Sequence, residues 1–226
     1  MLCADREEND DYVKQDVDKI CHIKMIPCSL FIAGSGLSSI IKNAETKIHG
    51  DLIKALSDSV DLVSQHQTLI ETSLKSIYET YSDTLAECPM ELIVVFVAHS
   101  IEYIPIVYRS EMAILTPEPI YRSCGSGKMI SDYLSGRLYE YPGMTQQDLI
   151  ALAAFIFREA HVAAVGVGSK VDMNFIWGFD KGRLKLAPDI VKTIQDGIPS
   201  LSDSLRHHWK DHAKIPEYIA NSNLFT

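Results

Sequence analysis

Two short apolar runs, residues 28–33 and 92–98, are separated by a long stretch with helical periodicity, and that order restricts the fold more than anything else in the chain. Apolar runs of this length, bounded by turn signals, read as strands buried on both faces, because a half-exposed strand would alternate. The first run ends in Gly34-Ser35-Gly36, a turn signal. Between the runs, Leu37, Ile40, Ile41, Ala44, Ile48, Leu52, Leu56 and Val60 recur every three or four residues. Leu69, Ile70, Leu74, Ile77, Tyr78, Tyr81 and Leu85 repeat the stripe. Each stripe is the buried face of an amphipathic helix. Two helices are therefore predicted, broken near Gly50 or between Asp61 and Gln67 and ended by Cys88-Pro89.

Strand patterns flank this section, over residues 2–4 and 17–23 before it and 91–99, 103–108 and 111–115 after it. The last three are joined by too few residues for crossover helices, so antiparallel hairpins are expected. Residues 121–123 lead into the turn Cys124-Gly125-Ser126-Gly127, then a helix with Met129, Ile130, Tyr133 and Leu134 on one face. Thr145 followed by Asp148 makes a capping-box-like start for the next helix. Its body, 149–162, is apolar nearly all round and should be sandwiched. Gly166 and Gly168 close it, 171–179 alternates as a strand, and from Pro188 a helical tail is expected around 190–209.

Helices grouped in pairs between antiparallel strands predict an α+β layered sandwich and speak against a Rossmann alternation. With no repeat and no flexible linker, the chain reads as one domain over 1–187, with 188–226 a C-terminal helical extension of it.

A net charge of -9 argues against nucleic acid as a partner, which would call for a basic face. No secretory signal pattern is present, and the longest apolar run falls far short of the roughly 20 residues that span a bilayer. Cys3, Cys21, Cys28, Cys88 and Cys124 are scattered, odd in number and never spaced as CxxC, which fits free thiols in a reducing cytoplasm.

Two segments carry more. The first holds Leu2-Cys3-Ala4-Asp5-Arg6, then Asp16-Val17-Asp18-Lys19-Ile20, then Ile32-Ala33-Gly34-Ser35. The second holds Gly125-Ser126-Gly127, Asp132-Tyr133-Leu134, Met144-Thr145, Leu149-Ile150-Ala151-Leu152-Ala153 and Gly168-Ser169-Lys170-Val171-Asp172. In this order and at these distances they resemble core proteasome subunits of the α/β type and their bacterial relatives, over residues 2–178. The resemblance implies a four-layer αββα sandwich of the N-terminal-nucleophile hydrolase type: two stacked antiparallel sheets flanked by helix pairs, assembled into rings. It implies a threonine-type endopeptidase whose nucleophile is the first residue of the processed chain, with its own α-amine as base, since an amine of pKa about 7.7–8.0 titrates near the working pH. Carried over residue by residue, Asp5 matches the carboxylate of the family's "AAD" strand, Lys19 the lysine beside the nucleophile, Ser126 the serine of the "GSG" turn, and Gly34 the source of the oxyanion N–H.

Two departures go with it. The family places a further strand, headed by the nucleophile, before the "AAD" strand, whereas Met1 stands four residues before Asp5; the expectation is a nucleophile strand missing from this chain. A supporting Asp and Ser of active subunits correspond here to Ala164 and Val167.

Plainer readings stand beside these. Lys19 can snorkel from a strand edge with Asp5 as its ion-pair partner. Ser126 can be a helix N-cap. Gly125-Ser126-Gly127-Lys128 fails as a phosphate loop, with Arg122 at the first glycine position and Met129 in place of Ser/Thr. Cys3 is a buried structural thiol rather than a rescued nucleophile. His207, His208 and His212 form a solvated helical face rather than a zinc site. The acidic stretch 7–11 is a solvated turn.

The expectation is thus a cytoplasmic, proteasome-like peptidase subunit with no cofactor or metal. Its partners would be copies of itself or related subunits in a ring, an unfolded polypeptide or peptide substrate, and an ATPase cap. The alternative is a non-catalytic structural ring subunit of the α type. A small-molecule amidase of the same superfold is a third option.

Overall fold

The computed structural model describes residues 1–5, 7–10, 13–16, 19–99, 105–118, 121–140, 142–176, 183–199 and 203. The two apolar runs become neighbouring strands. β5 (Cys28–Ser35) and β6 (Glu91–Ala98) pair antiparallel from Cys28↔Ala98 to Ser35↔Glu91. They are the interior of a five-stranded antiparallel sheet of order β4–β5–β6–β7–β8, where β4 is Ile20–Lys24, β7 Pro105–Glu111 and β8 Ile114–Glu118. Alternation is missing from β5 and β6 because both faces are covered. Leu30, Ile32, Leu92 and Val94 pack on one side, and Phe31, Ala33, Ile93 and Val95 on the other.

The first side is covered by helices α1 (Ser38–Ser57) and α2 (Leu62–Thr80), through Ile40, Ala44, Ile48 and Leu52 of α1 and Leu62, Ile70, Leu74 and Ile77 of α2. A short α3 (Ser82–Glu87) follows. Of the two positions offered for the break, the later one nearly holds. Gly50 stays inside α1 facing open space, and the chain turns at 58–61, where the Asp61 carboxylate accepts from the Val63 N–H (3.1 Å) and caps α2. α2 also closes part of the sheet edge. Gln67 donates to the Leu115 carbonyl (3.0 Å) and Glu71 accepts from the Leu115 N–H (2.9 Å), occupying backbone groups that an edge strand otherwise leaves open.

A three-stranded antiparallel sheet, order β1–β9–β10, is built from β1 (Leu2–Asp5), β9 (Val171–Ile176) and β10 (Arg183–Leu186). Leu2 of β1 joins Ile20, Phe31, Ala33, Ile93, Val95 and Val97 in one apolar cluster. Val171 and Met173 of β9 join Ala153 and Ala154 of α5 (Gln146–Ala163) and Val191 of α6 (Pro188–Gly197) in another. Between the sheets and α5 in sequence lies α4 (Lys128–Leu138), which packs on α5. Among the described residues the molecule is α+β, with antiparallel sheets and helices packed on them.

Several local expectations are corrected. The acidic stretch is not a turn: β2 (Glu7–Asp10) and β3 (Val13–Asp16) pair antiparallel as a hairpin. The β7–β8 turn falls at Met112-Ala113, with Met112 at φ 54°, so β7 runs through Glu111 and β8 reaches Glu118. Pro117 hid this extension, yet proline is accommodated on an edge strand. α5 is covered on one side only: Ala154 is fully buried while Val162 is 77 % exposed. The parts of the predicted strands at 17–18, 103–104 and 177–179, and the tail with His207, His208 and His212, lie outside the described residues.

Candidate functional site

Asp5, Lys19, Gly34 and Ser126 come from four separate parts of the chain and line one cleft of about 1150 Å³. Asp5 ends β1, and Lys19 stands just before β4. Leu2 and Ile20 bury their side chains in the same apolar cluster, which brings the two segments together. The Lys19 ammonium then donates to the Asp5 carboxylate at 2.8 Å, with 26 % and 19 % of the two side chains exposed. A partly covered pair at this distance is held more firmly than a surface pair, and losing one partner leaves the other charge poorly solvated.

Gly34 is the penultimate residue of β5, opposite Leu92 of β6. A Cβ placed there would lie 2.5 Å from Leu92 Cδ2 and 3.3 Å from the Glu91 carbonyl oxygen, so any larger residue would force the buried Leu92 side chain to shift. Gly36, at φ +124°, turns the chain into α1. The α1 N-cap, Leu37, offers no side-chain acceptor, its carbonyl accepts from the Ile40 and Ile41 N–H groups (3.0 Å each), and Leu37, Ser38 and Ser39 line the cleft at this helix start. This rim, next to Lys19, favours negative charge.

The second glycine turn is held against the first. Gly125 sits at φ +87°, and a Cβ there would approach Ser35 Cβ to 3.2 Å. Cys124 hydrogen-bonds with the Ser35 side chain; burial, and then the Glu91 charge, push its thiol up to about 11. A Cβ added at Gly127 would lie 3.1 Å from Val167 Cγ2 and 3.2 Å from Ala160 Cβ. Lys128 donates to Glu91 at 2.9 Å. Ser35 and Glu91 are cross-strand partners at one end of the sheet, so the 124–128 turn is pinned there by three contacts. Ser126 itself is exposed. It is not the N-cap of α4: that position is Gly127, which makes no side-chain capping bond.

Ala164 is the C-cap of α5, and Val167 is buried on the cleft wall, its carbonyl accepting from His161 Nδ1 at 2.6 Å. Asp172 is fully buried with the Lys185 ammonium 3.3 Å away. Cys3 belongs to the cluster under α5, and burial pushes its thiol up to about 12, which removes it as a nucleophile at neutral pH. Sequence reading missed Glu45, which lines the cleft from α1, and the Glu91–Lys128 pair behind the turn. Glu45 lies one helical turn after Ile41, the spacing that could have shown it on the cleft-facing side. Among the described residues there is no cluster of histidine, cysteine and carboxylate side chains suited to a metal, and no helix long and apolar enough to cross a membrane.

No family model matches the chain, and no curated protein matches it. Solved structures do. The chain is similar to Anbu (ancestral beta-subunit) from Yersinia bercovieri, with TM-score 0.75 at 10 % identity over 94 % of this chain and 93 % of that one. It is similar to Anbu from Hyphomicrobium sp. strain MC1, with TM-score 0.73 at 11 % identity over 95 % and 94 %. A helical assembly of the Anbu complex from Pseudomonas aeruginosa matches with TM-score 0.71 at 12 % identity over 96 % and 93 %. The expectation of a core proteasome subunit of the N-terminal-nucleophile hydrolase family is corrected by these findings: the structural neighbours are Anbu proteins, and they are distant. The physical reason lies in what the motifs do. Gly34, Gly125 and Gly127 are set by close approaches, and Asp5 and Asp172 by strand ends and burial. Such constraints come with the fold and do not separate one kind of subunit from another.

Proposed function

We propose that this chain is a subunit of a self-assembling, proteasome-like particle that binds extended polypeptide in the cleft and belongs to the threonine-type endopeptidase class. The observation that carries the reading is the Lys19–Asp5 pair facing the cleft beside the Gly34 turn, with Ser126 on the same lining. Lys19 would lower the pKa of a hydroxyl placed next to it, Asp5 would orient the ammonium, and the N–H groups of the glycine turn would take the charge of a tetrahedral oxyanion. Burial excludes Cys3 and Cys124 as the attacking group, so the reading requires a hydroxyl or thiol brought to Lys19 along β1. Among the described residues β1 is paired on one side only, by β9.

The reading takes the fold as a four-layer αββα sandwich. What supports this is the order of the apolar clusters: α1 and α2 on one face of the large sheet, β1 against its other face, and α5 and α6 beyond β9. Self-association draws on the helical assembly formed by one structural neighbour. The cytoplasm is the compartment proposed, consistent with free cysteines among the described residues. Unfolded chain is the substrate class, and an ATPase cap is the partner that would supply it.

Incubation with fluorogenic peptides and an N-terminal-threonine-directed inhibitor tests the activity. Peptide release and covalent labelling are expected of a form whose first residue is a Thr, Ser or Cys placed beside Lys19, with both lost in Lys19→Ala while the fold is retained; the chain that begins at Met1 is expected to be inactive. The second reading, a non-catalytic subunit, is favoured by Val167, an apolar side chain buried on the wall where a supporting hydroxyl would help. Absence of labelling and turnover in a fully assembled particle would establish that second reading instead.

A further inference from the structure

The two walls of the cleft belong to different layers. One is the large sheet with the start of α1, through Ala33, Ile93 and Ile41; the other is α5, through Leu152 and Ile156. α4 packs on α5, and its N-cap Gly127 is buried where an added Cβ would lie 3.2 Å from Ala160 Cβ. The turn that leads into α4 is therefore carried by the α5 layer.

At one end of the cleft this turn is tied to the sheet. The backbone of 89–91 lies against the first glycine turn: a Cβ at Gly36 would lie 3.1 Å from the Pro89 carbonyl oxygen, and one at Gly34 3.3 Å from that of Glu91. The Glu91 carboxylate in turn accepts from Lys128 Nζ at 2.9 Å, with 33 % and 28 % of the two side chains exposed. Such a pair is covered enough to hold more firmly than a surface pair and open enough to be screened by salt. Ser35, opposite Glu91 in the β5–β6 ladder, hydrogen-bonds with Cys124. Gly125, Ser126 and Gly127 are thus bracketed by contacts at 124 and 128 to one cross-strand pair. Ser126 is exposed and is not the α4 cap, so its place depends on what holds its neighbours. A thiol is a weak hydrogen-bonding group, and most of the hold falls on the ion pair.

We infer that Glu91 is a positioning residue: through Lys128 it fixes the Ser126 turn against the Gly34 turn and so sets the gap between the two cleft walls. Its consequence for bound polypeptide rests on the cleft reading given above.

Two measurements on the full chain test this together: hydrogen exchange read by mass spectrometry, and anisotropy of fluorescein-labelled casein as an unfolded polypeptide. In Lys128→Met, exchange over 124–128 should quicken about fivefold while that over α2 stays unchanged, the size expected of one partly covered ion pair. Casein affinity should fall by a similar factor. Glu91→Gln should match Lys128→Met, the double variant should add little, and Lys128→Arg should stay near wild type. Unchanged exchange at 124–128 overturns the inference. Exchange that quickens equally over α2 overturns it as well, since it marks a general loss of structure. Faster exchange with casein binding intact removes the effect on the gap. A wild-type chain that binds no casein removes the cleft reading, and exchange alone then decides whether Glu91 holds the turn. Wild-type protein in about 1 M NaCl should also exchange faster at 124–128, which keeps the test open if a variant does not fold; no change there counts against the inference.

Discussion

His66 shows how tightly single polar groups are settled in this core. It is 6 % exposed and stacked on Phe96 with centroids 3.6 Å apart. Nδ1 donates to the Val63 carbonyl (2.9 Å), and Nε2 accepts from the Tyr108 hydroxyl (2.8 Å). Burial holds its pKa below the usual 6.5, against the opposing pull of the Val63 carbonyl. As pH falls, the unfolded chain therefore takes up the proton first. The stability tied to the neutral ring is full above about 6.5 and is lost as pH drops through the folded value. Urea midpoints should fall between pH 7.5 and 5.5, and the slope should flatten in His66→Phe; an unchanged slope in that variant would place the pH dependence elsewhere. The thiols make a second case. Burial raises Cys3 to about 12 and Cys28 and Cys124 to about 11. All three should resist iodoacetamide at pH 7.5 in the native protein and react once it is unfolded in urea, as read by intact mass.

Among the elements, α4 and α5 separate what is local from what is not. The α5 start is a complete capping box, with Thr145 Oγ1 accepting from the Asp148 N–H (3.2 Å) and Asp148 accepting from the Thr145 N–H (2.8 Å). This was legible because both partners lie within one turn. The α4 start was not, since the role of Ser126 depends on where Gly127 packs. Thr145→Ala should cost about 1 kcal/mol. Ser126→Ala, at an exposed position with no capping bond, should stay within about 0.5 kcal/mol. Gly127→Ala should cost about 1–3 kcal/mol, because its methyl would press on Val167 and Ala160. Chemical denaturation of the three variants ranks them; a Ser126→Ala loss matching that of Thr145→Ala would restore the capping role.

On the scale of the molecule, the packing of α1 and α2 on the large sheet is the main apolar core, and Leu74 is fully buried in it. Leu74→Ala should cost about 2–5 kcal/mol, measured as a shift in urea midpoint. The cleft is lined by β1, the end of β5, Ile93 and Val95 of β6, the start of α1, and α5. Light scattering of the full chain should give a mass several times that of one copy if self-association holds, and a single-copy mass would remove that part of the proposal.

The amino-acid order by itself determined the element types and most of their sequence, because apolar runs, helical stripes and a capping box are signals carried over a few residues. Through the family resemblance of its motifs it also put Asp5, Lys19, Gly34 and Ser126 on a single list and led to the expectation that Asp5, Lys19 and Ser126 converge, without giving their geometry. Tertiary structure decided that they share one cleft, that Lys19 and Asp5 are 2.8 Å apart, that Glu45 is buried on the wall, and that Met112-Ala113 and not an earlier site makes the hairpin turn. Those outcomes depend on contacts between residues far apart in the chain, such as Gly34 with Leu92 and Gly127 with Val167, whose energies no local pattern contains.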